Sequence, residues 1–172
     1  MKHKLFIIIT ILLFALMQYS VFPVIPLIPI TPNLLLGLTV AYSLMRGSIS
    51  GMTVGICCGF CVDIFSDNVI GVYMLIFCLI GYAMGAFNKL FFPEEVKLPL
   101  FAIALGDFIY GCVIYIVFFL LRKDLGFGSY LLTLILPEVV YTLVCMIFFY
   151  PVILKIESKF IEKEKGNEKK FV

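Results

Sequence analysis

Residues 46–63 read RGSISGMTVGICCGFCVD, and this stretch decides the fold. Four glycines recur here at every fourth position, and Asp63 continues the spacing. Because four residues turn a helix by about 400°, these positions form one slowly winding stripe. In lipid, helices pack closely where small residues let their backbones approach. We therefore predict a membrane helix whose stripe packs against another helix of this chain or against a partner's helix. The stripe comprises Gly47, Gly51, Gly55 and Gly59.

The composition of the whole chain supports a membrane fold. Of its 172 residues, 63% are hydrophobic and 14% are charged, whereas soluble domains average about 45–50% and about 25%. A bilayer-spanning helix needs roughly 20 apolar residues. We predict an all-α integral membrane protein, with a compact six-helix transmembrane domain over 1–154 and a charged cytoplasmic tail over 155–172. The predicted spans are 5–22, 33–45, 48–65, 70–90, 98–121 and 130–151. In the fourth span, Gly81 and Gly85 repeat the four-residue spacing.

Lysine and arginine predict how the bundle is oriented. With six spans and the N-terminus inside, eleven of the thirteen basic residues lie on the inner side. Only Arg122 and Lys123 lie outside. Inner loops of membrane proteins carry an excess of Lys and Arg. The sequence therefore predicts a multi-pass membrane protein with both termini in the cytoplasm.

Prolines interrupt the helices between the first two spans. Pro23, Pro26, Pro29 and Pro32 recur at every third residue, which is the period of a polyproline II helix. An α-helix does not continue through such a run. The segment is strongly apolar, so it is either a packed connector or a docking strip for a partner. Pro32 and the following Asn33 are candidate contact residues at its end.

Three acidic residues fall inside predicted spans: Asp63, Asp107 and Glu138. Ionisable groups in a membrane usually mark a site or an internal partner. Asp63 lies near the outer end of its span, where it is a candidate cap. The other two lie about eight residues into their spans, roughly 12 Å deep. They predict a structural network, a ligand or proton site, or a contact with a partner's helix.

Groups needed for several kinds of chemistry are missing from the sequence. The single histidine is His3, so no histidine lies within a span. This excludes a Ser-His dyad and a His-rich metal site in the membrane. No phosphate-binding loop or dinucleotide fingerprint occurs, and Cys58 and Cys61 lie in an apolar run, where cysteine behaves as a small hydrophobe. We therefore predict no catalytic residue, no metal, no cofactor and no nucleic-acid partner.

Several motifs in the first half of the chain together resemble one family. The pattern covers about residues 30–90 and consists of Pro32-Asn33-Leu-Leu-Leu, Tyr42-Ser-Leu-Met-Arg46-Gly47, the glycine stripe with Asp63, Gly71-Val-Tyr73 and Ile80-Gly81-Tyr82-x-x-Gly85. It resembles the MreD family of rod shape-determining membrane proteins.

The resemblance implies a location in the bacterial cell (inner) membrane and a role without catalysis. MreD-like proteins work in the elongasome beside MreC, which has one membrane span, and with the synthases of lateral peptidoglycan synthesis. Their fold is similar to the substrate-binding subunits of energy-coupling-factor transporters. The expected function is thus a membrane scaffold that binds MreC and other elongasome proteins, without a small-molecule ligand. The alternative is a vitamin-type binding subunit of such a transporter, with Asp107 and Glu138 as polar anchors in an apolar cavity.

Overall fold

The described part of the chain consists of six helical rods. A computed structural model describes residues 2–24, 30–66, 70–90, 97–119 and 127–168. The α-helices are α1 Lys2–Leu16, α2 Leu34–Arg46, α3 Ser48–Phe65, α4 Val72–Gly85, α5 Lys97–Ile114, α6 Phe127–Tyr130 and α7 Leu136–Glu168. Tighter or wider turns extend four rods: Met17–Val21 and Phe22–Val24 follow α1, Ala86–Leu90 follows α4, Tyr115–Phe119 follows α5, and Leu131–Ile135 joins α6 to α7.

Five of these rods are long and apolar enough to cross a membrane. The exception is α2, whose 13 residues extend about 20 Å. Helix α2 lies at the centre of the bundle and contacts each of the other rods. Every residue from Leu34 to Met45 is buried, as expected for a helix that is apolar on all sides. The predicted all-α membrane bundle with six helices is confirmed.

A single residue connects α2 to α3. Gly47 adopts φ +86° and ψ −179°, a backbone conformation that is essentially restricted to glycine. Its N–H donates to the Ser43 carbonyl at 2.8 Å. The chain therefore reverses direction within one residue, and α3 returns alongside α2.

The glycine stripe of α3 lies against α4 of the same chain. A Cβ added to Gly55 would lie 2.5 Å from the Phe77 carbonyl oxygen, and one added to Gly59 would lie 2.5 Å from the Met74 Cα. Gly81 and Gly85 face the stripe from α4, against the backbones of Gly51 and Ser48. Because backbone touches backbone here, no room remains for a partner's helix between them.

The last rod is longer than the sequence predicted. The sixth span was expected to end at Pro151, but α7 passes through Pro151 and continues to Glu168. A proline removes one backbone donor, and the rest of a helix is able to carry on beyond it. A π-helical turn, Leu131–Ile135, lies just before Pro137. The predicted boundary between membrane domain and tail therefore lies inside one continuous helix.

The first turns of α1 and the C-terminal part of α7 meet at one end of the bundle. His3 Nε2 lies 2.8 Å from Glu157 Oε1, and the rings of Phe6 and Phe160 are 5.5 Å apart. We call this the terminal end. Shared placement of the termini fits an even number of crossings. That the terminal end faces the cytoplasm stays a prediction.

Candidate functional site

Helix α2 begins inside the bundle, and side chains from other rods close its first turn. The Asn33 N–H donates to Thr142 Oγ1 of α7 at 2.9 Å. The Leu35 N–H donates to Gln18 Oε1 at 3.1 Å, and the Leu36 N–H donates to Asn33 Oδ1 at 3.3 Å. The orphan donors of a helix start need such partners, above all away from water. Asn33 therefore acts as an N-cap that also fixes α2 to α7.

Asp107 of α5 lies beside this helix start. Its side chain is 2% exposed, and the side chains of Thr142 and Asn33 flank its carboxyl group. Neither Oδ atom has a hydrogen bond of normal geometry to any described residue. Glu138 of α7, half-buried, lies near enough for the two carboxyl groups to interact electrostatically. The structure thus brings together Asn33, Asp107 and Glu138, and we call the last two the acid pair.

Within the described residues, Asp107 is the member of the acid pair whose carboxyl oxygens accept no hydrogen bond of normal geometry. A buried acceptor without a hydrogen bond lowers the stability of the fold by about 1–3 kcal/mol. When a native structure keeps such a carboxyl group, the group usually has a structural or functional role. Within the described ranges, no three His, Cys, Asp or Glu side chains converge as metal ligands do. What the arrangement offers is two acceptor groups and a flanking hydroxyl, which suit a proton, a hydrogen-bond donor or a cationic group.

The other predicted acid, Asp63, has a separate and structural place. Its carboxylate accepts from the Tyr73 N–H and the Met74 N–H, both at 3.1 Å. These donors belong to the first turn of α4, which begins at Val72. A carboxylate at a helix N-terminus is favourable. Asp63 ends the glycine stripe and caps the helix that the stripe packs against, so it takes no part in the acid pair.

The predicted docking residues near the prolines are only partly described. Pro32 is buried next to Asn33, and its carbonyl accepts from the Leu34 N–H at 3.1 Å. Pro26 and Pro29 lie outside the described residues. Pro32 therefore belongs to the closed start of α2 in this structure.

A second polar cluster, which the sequence did not predict, lies at the terminal end. Glu157 is fully buried, with 0% exposure, although it was assigned to the charged tail. Its Oε1 accepts from Arg46 Nε and lies 2.8 Å from His3 Nε2, and the Tyr42 side chain lies beside it. The sequence held a signal, because Ile153, Glu157 and Phe160 share one helical face at spacings of four and three.

The part of the chain that matches a known family contains both the acid pair and the polar cluster at the terminal end. A family model described as rod shape-determining protein MreD matches residues 1–160. The chain belongs to the MreD family. The match extends over all six rods as far as Phe160, beyond the 30–90 region that carried the resemblance, and so confirms the predicted family. The protein is accordingly a multi-pass, rod shape-determining membrane protein.

No curated protein and no solved structure gives a significant match to the chain. The expected similarity of this MreD-family bundle to the substrate-binding subunits of energy-coupling-factor transporters therefore stays a prediction. The roles of the acid pair and of the terminal-end cluster have to be argued from their geometry.

Proposed function

We propose that this MreD-family protein is a non-enzymatic scaffold of the elongasome, binding MreC and cell-wall synthases within the membrane. The observation that carries this proposal is the family match over the whole six-rod bundle, residues 1–160. A scaffold needs contact surfaces rather than catalytic groups. The single histidine of the sequence, His3, lies in the first turn of α1 and contacts Glu157.

The shape of the bundle favours partners that are themselves membrane helices. The connection between α2 and α3 is the single residue Gly47, and large apolar side chains are exposed along the rods. In a bilayer, such surfaces contact lipid or another helix, and packing with polar contacts drives helix association. A partner with one membrane span, such as MreC, matches this kind of surface.

The acid pair supplies a polar contact for such a helix. Glu138 is only half-buried and lies next to the unpaired Asp107. Large apolar side chains are exposed near the two acids in sequence: Phe108 and Ile109 on α5, Leu134 in the turn before α7, and Val140 on α7. A donor from a partner helix laid across α5 and α7 would satisfy the pair, since polar groups in the membrane associate with one another. We propose this seam as the contact region.

Co-purification in mild detergent tests the proposal. We expect MreC to be recovered with the wild-type bundle, and Glu138→Gln to reduce its recovery about fivefold. The reason is that glutamine has one acceptor oxygen where the carboxyl group has two, so a donor of the partner loses a hydrogen bond worth roughly 1 kcal/mol. The thermal stability of the isolated variant should stay the same, because the glutamine keeps the shape of the side chain.

Thr133→Val is the matched control on the same rod. Thr133 is exposed and its hydroxyl donates to the Ser129 carbonyl at 2.5 Å, so removing it changes no partner-facing charge. Recovery of MreC should be unaffected by this change. Equal recovery with Glu138→Gln would reject the seam, and absence of MreC from every preparation would reject the scaffold.

One observation favours a second candidate function. Both Asp107 oxygens lack a hydrogen bond among the described residues, at a site flanked by Asn33 and Thr142, as anchors of a bound small molecule would be. A vitamin-type binding subunit would retain a small molecule through purification. An ATPase, rather than MreC, would co-purify with it. Mass spectrometry of the same preparation separates the two functions.

A further inference from the structure

A cleft between α1 and α3 opens at the terminal end of the bundle. Its volume is about 550 Å³, within the range of pockets that hold small molecules. The walls are apolar, from residues such as Ile8, Ile11 and Val54. Ile8 and Ile49 line the cleft and are also exposed on the bundle surface, so the cleft is open sideways to the surrounding lipid.

The mouth of the cleft is basic. His3, Lys4 and Arg46 all line it. Glu157 neutralises part of this charge through its contacts with His3 and Arg46, but Glu157 itself does not line the cleft. Lys4 is exposed and has no carboxylate within 4 Å among the described residues. The mouth therefore keeps a net positive charge above an apolar body.

A tyrosine of α2 also forms part of the cleft wall. Tyr42 lines the cleft and is fully buried. Its side chain lies beside Glu157, so it belongs to the polar cluster at the terminal end. The cleft thus combines cationic side chains at its mouth with an apolar groove along about 12 Å of α1, from His3 to Ile11.

We propose that this cleft binds one anionic phospholipid, with its phosphate at His3, Lys4 and Arg46 and an acyl chain along α1 and α3. A phospholipid is the occupant that matches both halves of the cleft at once, because its headgroup is anionic and its tail is apolar. Basic pockets between membrane helices bind such headgroups, and each nearby basic residue raises the affinity about fivefold.

The absence of tryptophan from the chain permits a direct test. Ile49→Trp places a single fluorophore at the cleft, on a side chain that is 76% exposed. Phe101→Trp places one on α5, 72% exposed and outside the cleft. The full chain is reconstituted in phosphatidylcholine nanodiscs, and traces of brominated phosphatidylglycerol or brominated phosphatidylcholine are added as quenchers.

At Ile49→Trp, we expect brominated phosphatidylglycerol to bind at least about fivefold more strongly than brominated phosphatidylcholine. At Phe101→Trp, the two lipids should quench alike. Added to the Ile49→Trp chain, Lys4→Gln should remove most of the preference, whereas Lys4→Arg and the control Lys97→Gln should keep it. Both lysines are exposed, so these changes put little of the fold at risk.

Three results would overturn the proposal. Equal quenching by the two lipids at Ile49→Trp would mean that the cleft does not prefer an anionic lipid. Its occupant would then be bulk lipid or a partner's helix. An equal preference at Ile49→Trp and Phe101→Trp would place the selectivity in the general lipid annulus. Displacement of the brominated lipid by inorganic phosphate, at matched ionic strength, would make the cleft a site for free anions.

Discussion

Gly59→Leu is expected to prevent α3 and α4 from packing, and even Gly59→Ala should lower the free energy of unfolding by about 3 kcal/mol. Overpacking a well-filled contact costs about 1–3 kcal/mol, occasionally more. The upper end applies because the added Cβ would lie 2.5 Å from the Met74 Cα and 2.7 Å from the Tyr73 carbonyl oxygen. Backbone atoms are unable to rotate away as a side chain would.

The measurement is the temperature at which half of the detergent-solubilised protein leaves the monodisperse peak. Gly128→Ala is the control, because nothing lies within 4 Å of a Cβ at that position. Its transition should match the wild type or rise slightly, since alanine favours helix over glycine. A wild-type transition for Gly59→Leu would show that α3 and α4 do not approach as closely as described.

Glu157→Ala is expected to have the second large effect, lowering the free energy of unfolding by about 3 kcal/mol. Removing one partner of a buried ion pair leaves the other charge uncompensated, which typically costs about 3–5 kcal/mol. In Glu157→Ala, Arg46 and His3 both lose their contact with a carboxylate, because both contact Glu157 Oε1. The same thermal assay measures the effect, and the termini should separate in the variant.

The neighbouring Lys159→Ala is the matched control, since Lys159 is exposed two residues away on α7. Replacing Arg46 and Glu157 together with leucine should recover much of the loss, because an apolar pair of similar size removes both buried charges. If Glu157→Ala were as stable as Lys159→Ala, the terminal end would not be held together by this cluster.

The hydropathy and the glycine spacing were sufficient to predict the six helices and the close packing of one of them. Both signals are local, because a span is a run of apolar residues and the stripe is a repeat within one helix. The partner of the stripe was left open between this chain and another. The structure identifies it as α4, whose Gly81 and Gly85 carry the same spacing.

The polar contacts were harder to predict because each joins residues far apart in sequence. Glu157 pairs with Arg46 and His3 across 111 and 154 residues. Its setting among lysines and glutamates resembles a solvated tail. Asp63 was recognised as a possible cap, but the helix it caps is the next one, because the Tyr73 N–H of α4 donates to its carboxylate at 3.1 Å. Such pairings depend on how the rods assemble.

The acid pair was predictable from the sequence only in part. Asp107 and Glu138 were predicted as intramembrane polar candidates because acids are rare in apolar spans. Their closeness to Asn33 and Thr142 depends on α2 beginning inside the bundle. A short span of 13 residues hinted at this depth, but the sequence had no means of showing which rods would surround its start.

Depletion of the protein from a rod-shaped host that carries this gene tests the central claim most directly. Cell length and width are measured by microscopy as the protein disappears, with a wild-type copy on a second promoter as the rescue control. The account predicts that rods widen and become round, and that the rescued cells stay rod-shaped. Rods of normal width after complete loss of the protein would contradict it.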